Sequence, residues 1–425
     1  MNVPAPSSSA RRWIILGIAF LVAFAVAYSQ FTLAGRGPEI AESLKLSTSA
    51  MSAVGLAPML PGVFFGLVAG GLADRFGVKL VVTIAFVCSV AGAIARIWAG
   101  NFALLLITMF LLGMAAAVLA ANAPKLFVAW FPPEQIGIAM GVFMAAGALG
   151  TMAAQATASR FATTTAAFGF GAVLVCVSFV LWLALVSNRP PGAEHAGPPP
   201  QKVTAYLGKV ARNPFVWLMG LGMVLFMAAQ MTFAQFLPTA LTEVHDMTIQ
   251  GSGGVASLFT AGTLVGSIAV PLVARKLGRI KPVVITVALL GLVGMYVGWM
   301  VAPGGLASVV LVLGGIGLGA APPMIMAGPA LLPSIGPEFA GSAGGLIATL
   351  QMAGAYVVPT FVFTPIAGAN FNLLLALAAV SCGLIALVMA FVPEYGVRLG
   401  AGSTAGSPAG SPDGSATGSA AGPAK

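Results

Sequence analysis

Charge is what this sequence has least of. Asp, Glu, Lys and Arg together make up 7% of its 425 residues, against 59% apolar. Soluble domains carry about 25% charged residues. So few charges cannot cover a water-facing surface of this size, which excludes a soluble globular protein. Cysteine is nearly absent too: Cys88, Cys176 and Cys382 each sit inside an apolar run. They read as small packing residues, not as a disulfide framework. The two histidines, His195 and His245, are isolated. Without a Cys/His cluster no metal site is expected. No nucleophile–base pair stands out, so neither an enzyme nor a cofactor is expected.

Carboxylates are missing where they would matter most. Of the ten Asp and Glu residues, none falls inside a long apolar segment. Proton relays in membranes use intramembrane Asp, Glu or His. A carrier with a carboxylate relay of its own is therefore disfavoured.

Long apolar runs are what the chain does have. About 20 apolar residues are needed to cross the hydrocarbon core as a helix. Such segments lie at 13–35, 51–73, 80–99, 103–130, 136–158 and 165–187, and again at 214–239, 252–274, 281–302, 305–332, 341–365 and 370–393. The expected fold is all-α: a membrane protein of twelve transmembrane helices, arranged as two six-helix bundles. Residues 1–12 form a short polar N-terminus that runs straight into a retained first helix. Bundles at 13–187 and 214–398 flank a proline-rich linker at 188–213. The tail at 399–425 is almost all Gly, Ser, Ala, Pro and Thr, a composition that cannot bury a core and reads as disordered.

With the N-terminus in the cytoplasm, 15 of the 19 Lys and Arg residues fall on the inner side. The outer four are Arg36, Lys45, Arg96 and Arg160. This positive-inside bias puts both termini in the cytoplasm. It also explains the net charge of +9 without a nucleic-acid partner. The expected partners are the lipid bilayer and a small-molecule substrate, and a monomer is expected. Arg96 and Arg160 read as interfacial anchors.

The halves echo each other. Gln30-Phe31-Thr32 answers Gln230-Met231-Thr232, and Gly77 answers Gly278, at offsets of 200 and 201. Two halves of the same topology imply a pseudo-two-fold axis along the membrane normal, with a substrate site between them near the midplane.

The loop after the second segment reads Gly70-Gly71-Leu72-Ala73-Asp74-Arg75-Phe76-Gly77-Val78-Lys79. It resembles the signature loop of the major facilitator superfamily, and topology and repeats extend the resemblance over nearly the whole chain. The turn Trp130-Phe131-Pro132-Pro133-Glu134 is similar to one in that superfamily's organic-anion branches. The resemblance implies secondary transport by alternating access in the inner (cytoplasmic) membrane. It makes Gly70, Asp74, Arg75, Gly77 and Lys79 a cytoplasmic gating loop.

It also ranks the polar residues of the spans. Lys125, with Asn122 on the same face, is the first candidate for holding an anion, and snorkelling to the headgroups is its plain alternative. Tyr28, Gln30 and Thr32 in the first helix, Gln230 and Gln235 in the seventh and Gln351 in the eleventh complete the expected substrate-binding set. For any one Gln an ordinary interhelical hydrogen bond is the competing reading. Gly314, Gly315, Gly317 and Gly319, followed by Pro322-Pro323, read as a bent tenth helix that flexes in gating. Met109 stands where proton-coupled members often have Arg, and Gly147-Ala148 where drug antiporters have Gly-Pro.

The expected cargo is a small organic or inorganic anion, on the pattern of oxalate/formate- or monocarboxylate-like carriers. Nitrate carriers fit less well, because the arginines of their second and eighth helices have no counterpart in these spans. Two alternatives remain open: an efflux carrier for drugs or amphiphiles, and a non-transporting receptor or assembly scaffold.

Overall fold

The computed structural model describes residues 9–187, 210–301, 304–331 and 340–394. The tail, the distal end of the N-terminus and nearly all of the linker lie outside them. In hydrocarbon, backbone donors and acceptors must be satisfied within the chain, and helices do this segment by segment. The first half comprises α1 (Ser9–Gly35), α2 (Gly37–Leu44), α3 (Thr48–Leu56), α4 (Leu60–Phe76), α5 (Val78–Ala95), α6 (Phe102–Trp130), α7 (Pro133–Thr157) and α8 (Thr164–Leu185). The second comprises α9 (Pro214–His245), α10 (Ile249–Leu277), α11 (Lys281–Met300), α12 (Gly305–Leu331), α13 (Ala340–Val358), α14 (Thr364–Ala367) and α15 (Phe371–Ala390). No strand occurs among the described residues.

Among the described residues, twelve spans are long and apolar enough to cross a membrane, six in each half. The second span is α3 and α4 joined through a 3₁₀ turn at Ala57–Met59, where Pro58 and Pro61 cannot donate. The eleventh is α13 run through a π turn at Pro359–Phe363 into α14. Side chains such as Phe64, Ile84, Val173, Val180 and Leu306 stay more than half exposed. Apolar surface on this scale belongs in lipid, and the chain is a multi-pass membrane protein.

The sequence repeat is a structural repeat. Thr32 and Thr232 each donate to the carbonyl four residues earlier, at 2.7 Å in both halves. Lys45 and Asp246 both close a helix in the left-handed region, at φ 51° and 52°. Gly77 and Gly278 both take positive φ, 85° and 63°, which explains why glycine occupies each turn. Lys79 donates to the Leu183 carbonyl at the end of α8, and Lys281 to the Ala390 carbonyl at the end of α15. Thr163 and Asn370 cap α8 and α15, the sixth span of each half, each accepting from the amide three residues on.

The glycines of α12 are a seam of close packing. Gly314 and Gly317 lie against Gly294 and Gly291 of α11, while Gly315 and Gly319 meet the carbonyl oxygens of Phe259 and Thr263 on α10. Gly262 and Gly266 of α10 return the contact onto Val312 and Ile316. Small residues let backbones touch where no hydrophobic force drives helices together. The helix runs unbroken through Pro322, Pro323 and Pro329.

Candidate functional site

Call the end where α1 begins the near end, and the end where it stops the far end. At the far end the halves are bonded together. Gln155 of α7 donates through Nε2 to the Ala234 carbonyl of α9 at 3.0 Å, and its Oε1 accepts from Thr260 of α10 at 2.8 Å. Gly253 lets α10 come this close, since a Cβ there would overlap the main-chain oxygen of Gln155. By the repeat, Ser52 of α3 meets Thr360 of the π turn at 3.0 Å. Gly37 abuts Thr239, and deeper in, Gly62 of α4 packs on Met352 of α13.

At the near end hydrogen bonds hold each half to itself. Trp130 donates to the Ser187 carbonyl, and Glu394 accepts from the amides of Ile280 and Lys281. The molecule is therefore tied across its far end. On α6, Ala120, Pro124 and Val128 share a face that is exposed toward the near end, as are Pro323 and Met326 on α12.

Three of the sequence candidates converge just inside the far-end contacts. Gln30 of α1 donates to the Gly55 carbonyl at 3.3 Å. The amide of Gln235 on α9 lies against the Cα of that same Gly55, so α1, α3 and α9 meet there. Gln230 stands one turn before Ala234, on the face of α9 turned toward the first half. The Oε1 atoms of Gln230 and Gln235 are both buried without a hydrogen-bond partner. An unmade hydrogen bond of this kind costs about 1–3 kcal/mol, so each is a place where a solute or water gains by binding. Gln351 is half-buried between Leu350, which packs on Gly220, and Met352, which packs on Gly62.

Tyr28 and Thr32 stand apart from that group. The Thr32 hydroxyl turns back on its own helix to the Tyr28 carbonyl. Tyr28 bonds to Thr157 of α7 at 2.8 Å. Lys125 and Asn122 form a second group with the signature loop. Lys125 Nζ donates to the Gly70 carbonyl at 2.7 Å, and Asn122 Nδ2 to the Val118 carbonyl at 2.9 Å and the Ala69 carbonyl at 3.4 Å. The helix that carries the expected anion-binding lysine thus grips the last turns of α4, where the loop begins. In that loop Arg75 lies over the Phe76 ring, Lys79 is anchored on α8, and Gly77 makes the turn. The Asp74 side chain is not described.

Arg96 is not an interfacial anchor. It is 1% exposed, inside the first half. Its guanidinium donates to the carbonyl and hydroxyl of Ser29 at 2.5 and 3.1 Å, touches the Met109 sulfur, and stacks 4.2 Å over the Phe168 ring. It pins α1, α5, α6 and α8 together. Arg36, expected in an outer loop, is also buried and pairs with Glu39 at 2.9 Å, and Thr164 of α8 donates to the other oxygen of Glu39.

Two repeated six-helix halves, bonded at one end with uncharged amides at their interface, make up the architecture of a membrane carrier. The model of the Major Facilitator Superfamily matches residues 19–359, and the chain belongs to that family. It is 26% identical to a probable nitrate/nitrite transporter, NarK2, of Mycobacterium tuberculosis, over 50% of this chain and 54% of that one. It is also 26% identical to a probable nitrate/nitrite antiporter, NarK1, of Thermus thermophilus, over 56% of each. A probable sulfoacetate transporter, SauU, of Cupriavidus necator is 27% identical over 31% of this chain and 30% of that one. The chain spans about half the length of the nitrate/nitrite relatives it matches. Among solved structures, the nucleoside transporter NupG superposes with a TM-score of 0.71 at 17% identity, covering 89% of this chain and 99% of that one. A bacterial homolog of the human lysosomal transporter Spinster, inward-facing and unoccupied, superposes at 0.68 and 13% identity, over 90% and 96%.

Proposed function

We propose that this protein is a secondary transporter that carries a small anion across the cytoplasmic membrane by alternating access, with its near end in the cytoplasm. The observation that carries the reading is the placement of the cross-half hydrogen bonds. Gln155–Ala234, Thr260–Gln155 and Ser52–Thr360 all lie at the far end, with Gln30, Gln230 and Gln235 directly inside them. A solute entering from the near end would meet these amides at the closed end of its path. Breaking the far-end bonds while the near ends close would release it on the other side. The 15 basic residues expected on the near side support the orientation.

An anionic cargo is supported by the nitrate/nitrite and sulfoacetate names of the relatives. In this reading the amides of Gln30, Gln230, Gln235 and Gln351 bind it, each able to turn a donor or an acceptor toward it. Lys125, held on Gly70, couples α6 to the gating loop. No observation favours efflux of amphiphiles or a receptor role.

The test is thermal stability of the purified protein with nitrate, nitrite, formate, oxalate and sulfoacetate, followed by flux of any stabilising anion in proteoliposomes. A ligand that binds only the folded state raises Tm with its concentration. One anion that both stabilises and crosses supports the proposal. Stabilisation by lipophilic cations alone moves the reading to efflux, and binding without saturable flux moves it to a receptor.

A further inference from the structure

A cavity lies on the side of α1 that meets α7 and α8. It is a groove of about 410 Å³ in the far half of the first bundle, lined by Phe24 and Tyr28 of α1, Ala153 and Thr157 of α7, and Phe170 and Leu174 of α8, with Phe161 and Arg160 at its far-end mouth. Two positions on α7 fix the direction it faces. Thr157 follows Gln155 by two residues, about 200° around a helix. Since Gln155 faces the second half, the groove lined by Thr157 faces away from it, toward lipid. Phe170 and Val173 of α8, both exposed, continue the same outward face.

Its walls are aromatic. Phe20, Phe24 and Tyr28 stack along α1 at 6.3 and 6.2 Å, and Phe170 meets Tyr28 edge-on at 5.5 Å and Phe161 at 5.4 Å. Arg160 is exposed beside them at the last residue of the fifth span, and a basic residue at a span end reaches toward the headgroups. An acyl chain fits along flat ring faces, and a guanidinium matches a phosphate by its fork of donors. We propose that this groove binds one anionic phospholipid of the far leaflet, its phosphate on Arg160 and one chain along the Phe24–Tyr28–Phe170 wall. The floor of the groove is the Tyr28–Thr157 bond, which joins α1 to α7. A lipid seated there braces the helix that carries the far-end latch Gln155.

The test uses the full chain, purified in detergent and titrated with phosphatidylglycerol, phosphatidylcholine or oleate. Phosphatidylglycerol is expected to raise Tm at a concentration about tenfold below phosphatidylcholine, since each tenfold is one decade in Kd. In Arg160→Gln that preference is expected to vanish. Equal shifts from the two phospholipids, or an unchanged preference in Arg160→Gln, overturn the proposal. An equal shift from oleate overturns the assignment to a phospholipid. Should Arg160→Gln fold poorly, Phe170→Trp places a reporter in the groove. Its fluorescence is expected to be quenched more by chain-brominated phosphatidylglycerol than by brominated phosphatidylcholine, and equal quenching overturns the proposal.

Discussion

Gln155 and Thr260 meet across the two halves at 2.8 Å, and the same glutamine reaches on to the backbone of α9. One side chain thus ties α7 to both α9 and α10. Its amide is 1% exposed and both its polar atoms are used. It is the best-satisfied of the interface glutamines, whereas Gln230 and Gln235 each leave an oxygen unpartnered.

Loosening that tie is expected to open the far end. Interhelical hydrogen bonds in membranes average about 0.6 kcal/mol each, so Gln155→Leu, which loses two, should shift the balance between states about eightfold toward the far-open form. Spin labels at Lys45 and Asp246, whose distance is read by electron–electron resonance, report this directly. An unchanged distance distribution in Gln155→Leu rules the latch out.

Two adjacent glycines separate contact from helix propensity. Gly253→Ala pushes a methyl into a main-chain oxygen of α7, where nothing can rotate away, while Gly254→Ala enters open space. Gly253→Ala should lower Tm and Gly254→Ala should leave it level or raise it, because Ala favours helix by up to about 1 kcal/mol. Differential scanning fluorimetry on the pair decides it, and equal shifts would count against close approach of α10 and α7.

Arg96 offers a less intuitive expectation. A buried charge is often replaced by a well-packed apolar residue at little cost, whereas a smaller side chain leaves a cavity costing about 2–5 kcal/mol. Arg96→Met should therefore be more stable than Arg96→Ala. Arg96→Lys, which keeps the charge but loses the fork on Ser29, should also fall below Arg96→Met. Melting curves of the three variants give the order.

Ligand binding should part from stability at Gln230. Gln230→Leu removes a buried oxygen without a partner, so the unliganded protein should be as stable as wild type or more so. The Tm rise with a bound anion should shrink or disappear. A full ligand response in Gln230→Leu would take this residue out of the site.

Lys125→Met breaks the bond to the Gly70 carbonyl but leaves the far-end amides intact. Transport kinetics in proteoliposomes are expected to show a lower maximal rate with little change in KM. A raised KM with an unchanged maximal rate would instead place Lys125 in contact with the cargo.

The twelve spans, their repeat and the two glycine turns were readable because they depend on local chemistry: apolar length, a pseudo-repeat, and the one residue type that tolerates positive φ. Breaks inside spans were harder to see. The second span starts at Thr48 and kinks at Ala57–Met59, although its apolar run reads as beginning at 51. The burial of Arg96 is not legible in the sequence because its environment is tertiary. Ser29, Met109 and Phe168, which bury it, lie far from it in sequence. The polar residues were visible as a set, but their sides were not. Tyr28 and Gln30 sit two residues apart and serve opposite faces of α1. Gln155 was visible as a polar residue of its span, yet only packing brought it to Thr260.

The glycine seam of α12 has a mechanical consequence. Its backbone is clamped between α10 and α11 with no cushion of side chains on either side. Bending it would drag both neighbours, so these three helices have the compliance of a single strut. Any switching of the molecule then turns the second half as a stiff lever and throws the deformation onto softer joints. The broken second span is one of these: α3 passes into α4 through the 3₁₀ turn at Ala57–Met59, so its ladder of hydrogen bonds is already interrupted there.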